Sequence, residues 1–312
     1  MVALTSGAVP ISLMAILSGS ATELESTIFS EIRVPRVVLA GFVGAALGLT
    51  GAALQGLFRN PLADPGLIGV SSGAALGAIS MIVMGPTLGL TGSFAPYSLP
   101  LAAITGALAV TAFLYAFSRR YGQFSIVTIL LVGIAINALA SVGIGLFQFL
   151  SDDAGLRTLT FWMMGSFGRT TWTTVLPAIA VMTAAAAPLL LLGRHLDALQ
   201  LGEAEAFYSG VDVARVKRTV ILCSAVAVGG GVALSGIVGF VGLVVPHLVR
   251  LALGPAHRYV LPGAALLGAS LTMFADAVSR TVLAPAEIPV SLVTSALGAP
   301  FFLWLISTVR PR

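Results

Sequence analysis

Val37-Val-Leu-Ala-Gly-Phe-Val-Gly-Ala-Ala-Leu-Gly-Leu-Thr-Gly-Ala-Ala-Leu-Gln-Gly-Leu57 runs without a single charge. A helix needs about 20 mostly apolar residues to cross a bilayer, and this stretch has that length. Its glycines Gly41, Gly44, Gly48 and Gly51 recur at steps of three, four and three. That spacing lines one helical face with hydrogen atoms in place of side chains, so a second helix can come close. The stretch predicts a packed membrane helix that serves as scaffold.

Working outward, the gaps between charges give eight further apolar segments: Gly66–Met84, Ser98–Ser118, Ile126–Leu150, Thr174–Gly193, Thr219–Phe240, a short Val241–Gly254, Val260–Val282 and Ile288–Thr308. The stretch from Met1 to Thr22 is uncharged too, but Gly7 and Pro10 interrupt it, and it lacks the basic start of a signal peptide. Composition agrees with a membrane solvent. Of 312 residues, 57% are hydrophobic and 9% charged, where a soluble chain carries roughly 25% charged residues. Mean hydropathy is +1.03. The net charge of +4 is spread between apolar runs, which argues against nucleic acid as a partner. Cys223 is the only cysteine, so no intrachain disulfide can form.

Lys and Arg placement sets orientation, because basic connections stay in the cytoplasm. Those at Arg59, Arg119–Arg120, Arg194 to Arg218, Arg250 to Arg258 and Arg310 to Arg312 alternate with connections holding Glu23, Glu25, Glu31, Asp152, Asp153 and Glu287. The first set is expected inside, the C-terminus with it. Of the 16 basic residues, only Arg33, Arg36, Arg157, Arg169 and Arg280 fall outside.

An internal echo appears at a shift of 185 positions. It pairs Gly44 with Gly229, Thr50-Gly51 with Ser235-Gly236, Pro61 with Pro246 and Gly69 with Gly254. The two copies would run in opposite directions, as in the inverted repeats of transporters. Chance matching in Gly-rich sequence is the competing explanation.

The longest polar stretch is the cytoplasmic loop 194–218. Within it, Leu201 to Ser209 reads as a short amphipathic helix closed by Gly210. Leu201, Ala204, Phe207 and Tyr208 form its apolar stripe, beside Glu203 and Glu205. Such a helix is either a connector or a knob for a partner's groove. The chain cannot bind nucleotide through a P-loop, because its only lysine, Lys217, is followed by Arg218. No catalytic or metal-binding spacing stands out; His195, His247 and His257 sit at predicted membrane edges. Asp276 and Arg280 lie four apart on an apolar segment, where ions mark a functional site or a mutually satisfied pair.

Several runs then become specific together. Arg33-Val-Pro-Arg-Val, the stretch from Gly44 through Arg59-Asn-Pro-Leu-Ala-Asp64 to Ala74, Phe161-Trp-Met-Met-Gly165, Leu201-Gly-Glu-Ala, Gly239-Phe-Val-Gly-Leu-Val-Val-Pro-His-Leu-Val-Arg250 and Leu297-Gly-Ala-Pro300 resemble the FecCD-type permeases of type II ABC importers, which serve haem, ferric siderophores and vitamin B12. The resemblance covers nearly the whole chain in order. It implies an all-α polytopic permease domain over residues 1–312, with about ten transmembrane helices per subunit. Only Met1 to Ser6 of the family's first helix stands in this sequence, so the expectation is either a translation start further upstream or nine complete spans with the N-terminus outside.

The resemblance also implies a bacterial inner-membrane homodimer, two cytoplasmic ATPases that bind ATP and Mg, and a periplasmic binding protein, with no cofactor in this chain. The coupling helix matches 201–211, including Leu201, Gly202, Glu203, Ala204, Glu205 and Gly210. Arg33, Arg36 and Arg280 match arginines that grip the binding protein. Asn60, Pro61 and Leu62, with Gln123, Phe124 and Ser125, match segments that narrow the cytoplasmic end of the pore. Asp64 and Ser71-Ser72 lean toward haem as substrate, then ferric siderophore, then cobalamin. An ion-coupled secondary transporter would carry several ionisable residues inside the membrane, where Asp276 stands alone. A membrane enzyme would need a catalytic cluster.

Overall fold

The structure, a computed structural model, describes residues 2–5, 7, 11–89, 95–120 and 126–308. No strand occurs among them. The chain opens with the short helices α1 (Val2–Thr5), α2 (Leu13–Leu17) and α3 (Glu23–Thr27). A π-helical turn, Ile28–Arg33, then leads into α4 (Val34–Phe58). A 3-10 turn at Pro65–Ile68 precedes α5 (Val70–Met84), α6 (Ala95–Arg120), α7 (Ile126–Leu150), α8 (Asp153–Met163) and α9 (Trp172–Leu190). After these come α10 (Gly193–Leu201), α11 (Glu203–Tyr208), α12 (Val213–Ser235), α13 (Val241–Leu253), α14 (His257–Thr281) and α15 (Val290–Thr308).

Each of the nine expected segments is helical. Six helical runs have the length and composition to cross a membrane; Val70–Met84, Val241–Leu253 and Val290–Trp304 are shorter apolar helices. The chain is a multi-pass membrane protein. α12 starts at Val213, so the polar end of loop 194–218 already belongs to the next helix. α8 was not anticipated. Its sequence is too polar for a span, and Asp152 starts it by accepting a hydrogen bond from Gly155 N at 2.8 Å.

The helices sort by what covers them. In the run Glu23–Phe58, 78% of the most apolar window is buried by protein, against 22% in α6 and α9 and 28% in α7. α4 is therefore the axis of the bundle, and the other three form its rim. The exposed Leu131, Leu139, Val142 and Phe149 of α7 would be a liability in water and suit lipid or a second subunit.

α4 and α14 lie antiparallel in a fixed register, with Gly44 beside Gly268 and Thr272, Gly48 beside Ala264, and Gly56 beside His257. A β-carbon at Gly44 would sit 2.2 Å from Gly268 O, and one at Gly48 would sit 2.1 Å from Ala264 O. At Gly51 it would meet Gly242 O of α13 at 2.0 Å. These distances leave no room for a methyl group. The predicted glycine face is a packing face, and only Gly41, 3.5 Å from Met273 Sδ, is loosely held.

The internal echo holds in one place and fails in another. Gly69 and Gly254 share a positive φ, 80° and 84°, and each precedes a helix, although only Gly69, at ψ −1°, is left-handed; Gly254 has ψ 175°. Thr50-Gly51, by contrast, lies inside α4, whereas Ser235-Gly236 ends α12. Gly236 turns at φ 68°, and a β-carbon there would strike Trp162 O at 2.1 Å.

Candidate functional sites at the two ends of the bundle

The polar stretch after α9 folds as two helices where one, Leu201–Ser209, was expected. The break is Gly202, at φ 137°. The Glu205 carboxylate folds back over it, with Oε2 only 1.9 Å from where a β-carbon would stand. No other residue fits both demands. Gly210 closes α11 as expected, at φ 85°, donating its N–H to Phe207 O at 2.9 Å.

The apolar stripe faces away from the protein. Leu201 is 75% exposed, Phe207 67% and Tyr208 86%, and Ala204 is exposed beside them. Ala206, on the opposite side, is buried. Glu203 turns inward to Lys217 Nζ at 2.6 Å, leaving Glu205 as the acidic group nearest the stripe. Together these exposed side chains form an apolar knob.

The opposite end of α4 carries the arginines. They were expected on the outward side, where they would grip a binding protein. Arg33, Arg36 and Arg280 are all buried. Arg36 reaches Asp276 Oδ1 at 2.9 Å and Glu287 Oε1 at 2.7 Å. Arg280 Nε lies 3.1 Å from Asp276 Oδ2, and its Nη2 donates to Ala3 O at 2.7 Å. Arg33 Nη1 donates to Leu4 O and Thr5 O at 3.0 and 2.9 Å. For Arg36 and Arg280 the physical reason is Asp276, which is 0% exposed. A buried carboxylate needs close counter-charges, and the two neighbouring arginines provide them. Of this cluster, only the Asp276–Arg280 spacing was legible in sequence. Arg36, Asp276 and Glu287 are too far apart along the chain for any local pattern to join them.

Asn60, Pro61 and Leu62 form an exposed loop directly after α4. Arg59 ends that helix in the left-handed region at φ 50°, and Asn60 Oδ1 accepts from Leu62 N at 2.9 Å. Asp64 follows, accepting from Gly66 N at 2.8 Å; burial pushes its carboxyl up despite that bond. Gln123, Phe124 and Ser125 lie outside the described residues. Of the histidines, His195 is exposed, His247 packs edge-on near Phe301, and His257 is buried with Nδ1 2.7 Å from Asp197. Among the described residues no group of three His, Cys, Asp or Glu could hold a metal ion.

Comparison with known proteins fits this geometry. The chain is 47% identical to the hemin transport system permease protein HmuU of Yersinia pestis over 306 residues, 98% of this chain and 91% of the relative. It is 40% identical to the vitamin B12 import system permease protein BtuC of Vibrio cholerae, covering 91% of this chain and 84% of that one. A solved metal-chelate type ABC transporter in an inward-facing conformation superimposes with a TM-score of 0.88 at 34% identity, over 99% of this chain and 96% of the other. The model of the FecCD transport family matches residues 1–308. A bundle whose core helix is seamed by glycine, matched from end to end in sequence and in fold, belongs to the FecCD transport family of ABC importer permeases.

Proposed function

We propose that this chain is the permease subunit of an ATP-driven importer that carries haem across the bacterial inner membrane. It works as a homodimer with two cytoplasmic ATPases, which bind ATP and Mg, and with a periplasmic binding protein. The observation that carries the ATPase contact is the knob: Leu201, at the end of α10, and Ala204, Phe207 and Tyr208 of α11 are exposed beside Glu205. Large apolar groups clustered at a membrane edge and tied to α12 by the Glu203–Lys217 ion pair suit a plug for a partner's cleft. In this reading α10 and α11 lie in the cytosol, as does the C-terminus. Asn60–Leu62 and Gln123–Ser125 narrow the pore beside them, and the Arg33–Arg36–Arg280 end faces the binding protein.

Haem is preferred to cobalamin because the hemin permease of Yersinia pestis is 47% identical and the Vibrio cholerae vitamin B12 permease 40%. Ferric siderophore is the second substrate, on the same rigid, bulky, metal-bearing chemistry. The test reconstitutes permease, ATPase and binding protein in vesicles and compares ATP-dependent uptake of haem, a ferric siderophore and cobalamin. Haem uptake above the other two is expected. Preference for another ligand would reassign the substrate, and uptake by the permease alone, driven by an ion gradient, would sink the importer reading.

A further inference from the structure

α10 sits where the knob meets the bundle, and one turn of it does two jobs. Asp197 and Gln200 are three residues apart, so they share a face. Asp197 Oδ1 accepts from His257 N at 2.9 Å and lies 2.7 Å from His257 Nδ1. His257 is the first residue of α14, whose own flanking residue, Ala256, has no side chain to cap it. Gln200 Nε2 donates to Gly56 O at 2.7 Å, and Gly56 lies in the last turn of α4, where its carbonyl otherwise accepts only the long 3.4 Å bond from Arg59 N among the described backbone groups. One helix thus supplies an acceptor to the start of α14 and a donor to the end of α4. Both match the helix dipoles.

The joint is tight as well as satisfied. His257 Nε2 occupies the space a Gly56 side chain would take, 2.4 Å from the position of a β-carbon. Gly193, which opens α10, faces the backbone of Arg258, with Arg258 N 3.1 Å from its own missing β-carbon. From this joint α4 and α14 run together along their glycine seam to Arg36 and Asp276, roughly 30 Å away by helix rise.

We propose that Asp197 and Gln200 are positioning residues that clamp the coupling segment to the α4–α14 pair, so that movement of the knob is passed to both helices at once. This rests on the importer reading given above. Rigid elements joined by hydrogen bonds are a physical route for such coupling, and its demonstration requires a measured coupling ratio. The clamp also places the exposed loop Asn60–Leu62, four residues beyond Gly56, under control of α10.

The experiment uses the complete complex in vesicles and reads substrate imported per ATP hydrolysed. Asp197→Ala is expected to lower that ratio about tenfold, the equivalent of one lost charge-assisted hydrogen bond. Asp197→Asn retains an oxygen for His257 N and is expected to stay within about twofold of the unaltered protein. Gln200→Ala, which leaves α14 untouched, reads the α4 side independently and should also fall. A purely structural role would lower complex yield and thermal stability while the ratio stayed constant; that result overturns the proposal. If the unaltered complex forms and transports but all three variants keep its ratio, the clamp alone fails. If the unaltered permease shows no ATP-dependent uptake, the importer reading falls and takes the clamp with it.

Discussion

The two ends of α4 solve opposite problems with the same building materials. At one end three arginines and Asp276 are folded inward beside the exposed Glu287, each charge met by another or by a main-chain carbonyl. At the other, Phe207 and Tyr208 stand almost fully in the open, while the nearby charge of Lys217 is buried against Glu203. Residue type alone therefore says little about which surface awaits a partner. An arginine-rich motif can be an internal fastener, and a pair of aromatic rings can be the contact left outside. What separates them is whether the fold itself supplies the complement.

The sharpest break of that comparison is Asp276→Ala. It strands Arg36 and Arg280 in a buried site and should cost about 3–5 kcal/mol, read as a lowered unfolding midpoint of the purified permease. Phe207→Ala with Tyr208→Ala should do the reverse: stability within about 0.5 kcal/mol, but ATPase affinity lowered by about 2 kcal/mol or more, read by titrating ATPase into permease vesicles. Equal stability for Asp276→Ala would mean that the outer cluster is not a fastener.

A gentler probe is Arg33→Gln. Because Arg33 already serves Leu4 O and Thr5 O, binding-protein affinity is expected to fall by less than about threefold, the small effect typical of a marginal ion pair. A much larger loss, growing at low salt, would return that arginine to the docking surface. The smallest effect belongs to Asp64. Its raised carboxyl means that the folded state holds the proton more tightly, so stability falls as pH rises from the ordinary carboxylate range through the raised value. Asp64→Asn keeps the bond from Gly66 N and should flatten that dependence in a thermal unfolding series.

Much of the fold was legible because the membrane imposes long apolar runs. The nine segments read between charges are all helices, and the glycine steps of α4 pointed to the face that meets α14. The local breaks were harder. Gly202 lies inside a stretch with good helical periodicity, and only its backbone angle and the returning Glu205 carboxylate reveal the stop. At the sites, motifs found the right regions but not the pairing within them. Arg36 finds Asp276 and Glu287 only after the chain has crossed the bundle several times. No local pattern marks Asp197 in the polar stretch 194–218, although it docks with Gly193 and Gln200 on the same two helices. Residues that cap another helix's end leave no periodic trace in sequence.

The seam between α4 and α14 restricts the kinds of motion open to this molecule. With main-chain oxygens standing where β-carbons would be, neither helix can climb along the other without driving a side chain into backbone, so the pair is expected to travel as one rod. Flexure then collects where the chain departs from helix at positive φ and no described atom crowds the turn, at Gly210 and Gly254. Spin labels on the two helices should hold one separation throughout turnover, while labels astride those two glycines should not. The transport stroke would be set by pivots, and the glycines that look most alike in the sequence would divide into those that forbid movement and those that permit it.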